Sequence, residues 1–327
     1  IVMLFKVRII FLVIGFSLIS NLSFAADTTV STALTSSADQ IIMDSNDTVT
    51  ITSSGSIIVD SHDGLIQLPA GTSNLTITNS GTLQIGIYEE VGTNGSQHNN
   101  ITSYGAENIT IVNNGGISGG QSRALSLADA QGDITITNNA GAMISARGHS
   151  SFAVIQLNTA GNATAGDIIV TNAGTIQALG TPHMSNPVNT YSHHTLRISN
   201  VTNGGTVTID NSGTIEGGAC CTIDLNGTTD ATTLTNSGTI KNVTSAAVAA
   251  RGTTNFTLNN SGTITGSGTL NKNSTGDNQK TVIDLSNQHA AITGGTGATI
   301  INSGTIEATA TNGDAIKAFD SKCPMRP

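Results

Sequence analysis

The chain has 327 residues, of which 10% are charged and 3% aromatic, with no Trp, 5 Pro and 37 Gly. Helical domains need Leu, Ala, Glu and Lys in quantity, and disorder usually pairs low hydrophobicity with high charge; 37% hydrophobic residues with sparse charge speak against both. A net charge of −9 leaves no basic patch to neutralise phosphates, so no nucleic-acid partner is expected.

Lys6 and Arg8 open the chain with positive charge. A mostly apolar run follows over residues 9–22, and then Ser23 and Ala25 stand two apart as small residues. Charge, apolar stretch and small residues in that order predict a secretory signal peptide over residues 1–25, cleaved between Ala25 and Ala26. The run is short for a membrane span, and polar chain follows at once. Export through the inner membrane is therefore expected. Cleavage would make the chain more negative by two charges.

The remainder repeats one unit. Residues 75–83 read Leu-Thr-Ile-Thr-Asn-Ser-Gly-Thr-Leu. The same box returns at 109–117, 168–176, 207–215, 232–240, 256–264 and 298–306, with a degenerate copy at 49–57 and one carrying extra residues at 134–144. These copies predict about nine coils, and their Gly-to-Gly spacings run from 24 to 42 residues. A second apolar element follows most boxes, at 65–68, 124–127, 154–157, 195–198, 222–225, 247–250, 282–285 and 315–318.

Each coil thus reads as strand, tight turn, short strand, variable loop and strand. Leu75 and Ile77 alternate with Thr76 and Thr78, so apolar residues stack inward and β-branched Thr outward. Asn and Gly at the turn tolerate left-handed backbone angles. Asn79, Asn113, Asn138, Asn172, Asn211, Asn236, Asn260 and Asn302 recur at one box position, which predicts an amide ladder between stacked coils. One coil cannot bury its apolar face alone, but stacked neighbours give a continuous core. The long insertions, 84–100, 177–194 and 265–281, all fall between a box and the next strand. They are expected at one corner, where a binding face would lie.

The Asn-Ser-Gly-Thr-Ile boxes beginning at Asn211, Asn236, Asn260 and Asn302, and the variant at residues 172–176, resemble those of autotransporter passenger domains. The resemblance covers about residues 40–318. It implies an all-β fold, a right-handed parallel β-helix, on a surface-exposed or secreted protein of a Gram-negative bacterium. Residues 26–318 would form the passenger and 319–327 a short irregular tail. The family also carries a C-terminal outer-membrane β-barrel translocator, which nothing in this sequence supplies. The chain is therefore read as a truncated or separated passenger. It would reach the cell surface or exterior where a translocator is available, and otherwise stay periplasmic.

The expected function is non-catalytic, with no cofactor: an adhesin or surface scaffold. Its loops, Tyr191 among them, would meet carbohydrate or protein on a host or neighbouring cell. The alternative is a polysaccharide lyase or glycosidase on a pectin-lyase-like β-helix. Its acids would come from the outward column of the second element: Gln67, Ser126, Gln156, Arg197, Asp224, Ala249, Asp284 and Lys317. Asp224 and Asp284 would stand roughly 9–10 Å apart, the upper limit for an inverting pair. Opposite-charge neighbours, Arg197 with Asp224 and Asp284 with Lys317, favour a structural role.

No metal is expected. His183, His193 and His194 share one insertion, with His149 a coil earlier, and show no structural ligand spacing. Residues 294–300 hold Thr299 where a calcium-binding nonapeptide needs Asp. The outward Thr columns are too often broken, by Val112, Ile169, Asp210 and Asn259, for an ice-binding face. Cys220 and Cys221 are adjacent, which strains a disulfide between them, and Cys323 lies in the tail. No structural disulfide is expected, and one of the adjacent pair should face inward.

Overall fold

The computed structural model describes residues 27–35, 40–59, 64–85, 99–120, 123–146, 153–158, 165–179, 194–199, 201, 204–217, 221–226, 231–242, 246–250, 253, 255–266, 281–285, 297–309 and 314–317. These residues contain strands and no helix. The signal peptide with Ala25 and Ala26, His149, His183, Tyr191, His193, Cys220, residues 294–296 and the tail at 319–327 lie outside them.

The chain winds as a right-handed parallel β-helix with three ten-stranded parallel sheets. Each coil gives one strand to each sheet, as in Gln131–Asn138, Met143–Ala146 and Ala153–Asn158. Register is kept from coil to coil over the box residues, with shifts only ahead of them in the first sheet, between Glu107 and Ile109 and between Gly132 and Ile134. Leu75, Ile109, Ile134, Ile168 and Val207 are successive partners in the first sheet. Leu83, Ile117, Ile144, Ile176, Ile215 and Ile240 are successive partners in the second. Both columns are buried in one continuous apolar core, because the period of two along each strand sends alternate side chains inward. Two members of the inward column that differ in volume, Thr232 and Phe256, are neighbours and both fully buried. Their volumes compensate within a close-packed interior.

The described residues form ten coils rather than about nine. The additional one consists of Thr28–Val30, Ala33–Leu34 and Ile41–Ile42. It lacks an Asn-x-Gly box, so the repeat search had nothing to find. Val30 and Ile51 occupy the column that Asn79 and its successors fill later.

The turn glycines also need a different explanation. Among the box glycines only Gly141, in the copy with extra residues, has a left-handed backbone, with φ 80°. The others are fixed by the approach of neighbouring coils. A Cβ on Gly213 would overlap the carbonyl oxygen of Gly174, and one on Gly238 that of Gly213. Left-handed asparagines do occur, at Asn46, Asn74 and Asn108, but on the corner between the third and first sheets.

The insertions at 84–100, 177–194 and 265–281 are shorter than their sequence limits. Thr82–Ile85, Thr175–Ala178 and Thr263–Gly266 still belong to the second sheet. Ile101–Ser103, His194–Ser199 and Thr281–Asp284 belong to the third. Between them, residues 86–98, 180–193 and 267–280 lie outside the described residues. A further long connection, 285–298, joins the third sheet to the first, so long connections are not confined to one corner.

Candidate functional site

The corner asparagines form a continuous chain of hydrogen bonds. Asn79 Nδ2 donates to Asn113 Oδ1, Asn113 to Asn138, Asn138 to Asn172 and Asn172 to Asn211, each at 2.8 Å. Asn211 donates to Asn236, Asn236 to Asn260 and Asn260 to Asn302, each at 2.7 Å. Each amide also bonds backbone. Asn113 Nδ2 reaches Gly115 O at 3.2 Å and Met143 O at 3.1 Å, tying its own turn to the next coil. The ladder starts at Asn79 because its partner in the preceding coil is Ile51. From Asn79 to Asn260 these amides are buried and satisfied by one another, which makes the corner a structural spine and not an exposed recognition surface.

A second, exposed ladder runs along the corner between the third and first sheets. Asn74 Nδ2 donates to Asn46 Oδ1 at 3.1 Å, and Asn108 Nδ2 to Asn74 Oδ1 at 3.2 Å. Higher up, backbone amides become the donors: Asp133 N to Asn108 Oδ1 at 3.1 Å and Asp167 N to Asp133 Oδ1 at 2.9 Å. Thr206 then donates its N–H and hydroxyl to Asp167 Oδ1 at 2.9 and 2.8 Å. The backbone bond first, then the hydroxyl bond, holds the Asp167 carboxyl below its ordinary value. Three residue types share this column, so no single-letter repeat marks it in the sequence.

The third sheet carries the outward column in register: Gln67, Thr102, Ser126, Gln156, Arg197, Asp224, Ala249, Asp284 and Lys317. Thr102 is the member that the repeat pattern omitted. Arg197 Nε lies 3.4 Å from Asp224 Oδ2. Asp284 and Lys317 are register partners, but their side chains lie outside the described residues. Ala249 separates Asp224 from Asp284, so the two are two strands apart. Thr102, Ser126, Gln156 and Asp224 are all buried, unlike the half-exposed outward Thr residues of the first sheet.

Next to this column stands Arg123, which donates from Nε to Gln156 Oε1 at 2.6 Å. Burial, then the like charge of Arg197, pushes its guanidinium down to about 10. Arg123 immediately precedes the apolar element at 124–127, and only the folded coil shows its contact with the column.

The same face gathers His194, Cys221 and Asp224. His194 opens the strand His194–Ser199, and Cys221 opens Cys221–Asn226; the two are register partners. The sequence had placed His194 in a loop. Cys221 is in no disulfide and packs with Ala246 and Ala249 in a small cluster apart from the main core. Since Ala249 belongs to the outward column, Cys221 is on the sheet's outer side and does not join the main interior. His194 Nε2 stands 3.6 Å from Asp224 Oδ2. The three residues sit on two neighbouring strands, so no spacing within one segment of sequence reveals them.

Compared with protein-family models, curated proteins and solved structures, the chain matches none of them.

Proposed function

We propose that the chain is a non-catalytic exported passenger of autotransporter type, an adhesin or surface scaffold. Its connections at 86–98, 180–193 and 267–280 meet carbohydrate or protein on another cell. The observation that carries this reading is the unbroken register on both sides of those insertions. Ile117 still pairs with Leu83 before the first, and Leu125 with Ile101 after it. A scaffold that accepts length changes without losing register can vary what it carries at fixed intervals along a rod. Ten coils at about 4.8 Å per step span roughly 43 Å. On this reading an outer-membrane translocator is the delivery partner.

The carbohydrate-active alternative has weaker support. Asp224 is buried and held between Arg197 and His194, so a polymer has little access to its carboxylate. The deciding experiment exposes a polysaccharide panel and cell-surface glycans to the purified protein, and reads binding and product release together. Binding without cleavage is the expected result. Cleavage that disappears in an Asp224→Asn, Asp284→Asn double variant would overturn the proposal.

A further inference from the structure

We propose that His194, Cys221 and Asp224 form a binding site for a divalent metal ion of the zinc class. This site is independent of recognition by the loops. One imidazole, one thiol and one carboxylate offer the donor set that zinc takes in mixed sites, with a fourth position left for water. Their ligand atoms all lie within 4.8 Å of one another. A tetrahedral ion with bonds of about 2.0–2.3 Å needs ligand edges of roughly 3.3–3.6 Å. The His194 Nε2 to Asp224 Oδ2 distance of 3.6 Å already meets that edge. Closing the widest separation takes a side-chain shift of about an ångström.

The surroundings suit a metal better than a nucleophile. All three residues are buried, with Cys221 at 0% exposure, so the thiol is shielded from a bulky substrate. The imidazole nitrogen nearest the carboxylate is the Nε2 that would coordinate, in place of the direct contact. Two strands fix the donors: His194 and Cys221 by direct register, and Asp224 three residues further along the strand of Cys221. Arg197 stands against the same carboxylate oxygen and competes for it. Removing Arg197's charge should therefore tighten the site, an effect that a purely structural cluster would not show.

The test uses the full mature chain with Cys220→Ser and Cys323→Ser, which leaves Cys221 as its one thiol. Cobalt(II) is titrated into chelator-treated protein and followed by absorption. The expected result is one cobalt per chain, with a thiolate-to-cobalt charge-transfer band and tetrahedral d–d bands that zinc abolishes by displacement. Cys221→Ser removes the charge-transfer band, His194→Gln and Asp224→Asn weaken binding at least tenfold, and Arg197→Gln strengthens it. In the unsubstituted chain, equilibrium dialysis followed by metal analysis reads the zinc retained per chain, a readout that needs no variant to fold. Absence of the thiolate band, unchanged affinity in both His194→Gln and Asp224→Asn, or no zinc retained by the unsubstituted chain would overturn the assignment.

Discussion

Asn172 donates from Nδ2 to Asn211 Oδ1 at 2.8 Å, although 39 positions separate the two in sequence. The same amide reaches Gly174 O at 3.2 Å and Thr214 O at 3.1 Å, while its own oxygen accepts from Asn138. One buried side chain thus fastens three coils, and it does so whatever length of chain lies between the boxes.

Asn172→Ala should therefore destabilise the helix by about 3 kcal/mol, since it leaves a buried amide donor and several carbonyls without their partner. Asn302→Ala should cost about 1 kcal/mol or less, because Asn302 is exposed and ends the ladder of described amides. Denaturant midpoints of the two variants check the contrast. Equal losses would mean that the ladder does not bind coils together.

Glycine substitutions separate close approach from backbone freedom. Gly238→Ala should prevent normal stacking, since its Cβ meets the Gly213 carbonyl oxygen. Gly116→Ala, a residue away from a box glycine, has nothing within 4 Å of the added Cβ and no left-handed φ. It should change stability by less than about 1 kcal/mol, in either direction. Thermal melts followed by circular dichroism distinguish the two.

Phe256 is the bulkiest fully buried side chain among the described residues. Phe256→Ala should cost about 3–5 kcal/mol, because its neighbour Thr232 is too small to close the cavity. Adding Thr232→Leu should restore part of the loss, with a coupling that a double-mutant cycle reads directly. Strict additivity would show that the two positions do not share one packing volume.

Two groups contribute to the pH dependence with opposite sign: the lowered Asp167 carboxyl favours the folded state as pH rises, and Asp47 acts the other way. Burial raises the Asp47 carboxyl above 3.8; the bond from Asp44 N at 2.6 Å opposes this, and the charges of Asp44 and Asp27 add to it. A raised folded value means that the folded state holds the proton more tightly than the unfolded chain. The contribution of Asp47 to stability is then greatest below 3.8 and falls as pH rises through the folded value. Asp47→Asn should flatten that fall and stabilise the protein at neutral pH, while its amide oxygen can still accept from Asp44. Denaturation midpoints across the acid range would show it. An unchanged slope would mean that other groups set the dependence.

The stacked interior was legible because its cause is local. Leu75 and Ile77 sit at a period of two, and the box repeats that period in every copy. The Asn79 to Asn302 series was visible for the same reason, since one residue type recurs at one place. The first coil was not, because Val30 and Ile51 stand where later coils have Asn. The box glycines were visible as residues but not in their role, which depends on the carbonyl of the coil below. The His194, Cys221 and Asp224 cluster was hidden because its members come from two coils and become neighbours only through register. Arg123 was hidden likewise: its partner Gln156 is 33 positions away.

The scaffold reading meets its most direct test in a binding measurement with altered connections. Residues 86–98, 180–193 and 267–280 are replaced, singly and together, by short Gly-Ser linkers, and adhesion of the purified protein to cells and glycan surfaces is measured. The account predicts that adhesion is lost while the β-sheet circular dichroism and the melting transition persist. Adhesion unchanged in the triple replacement would contradict it.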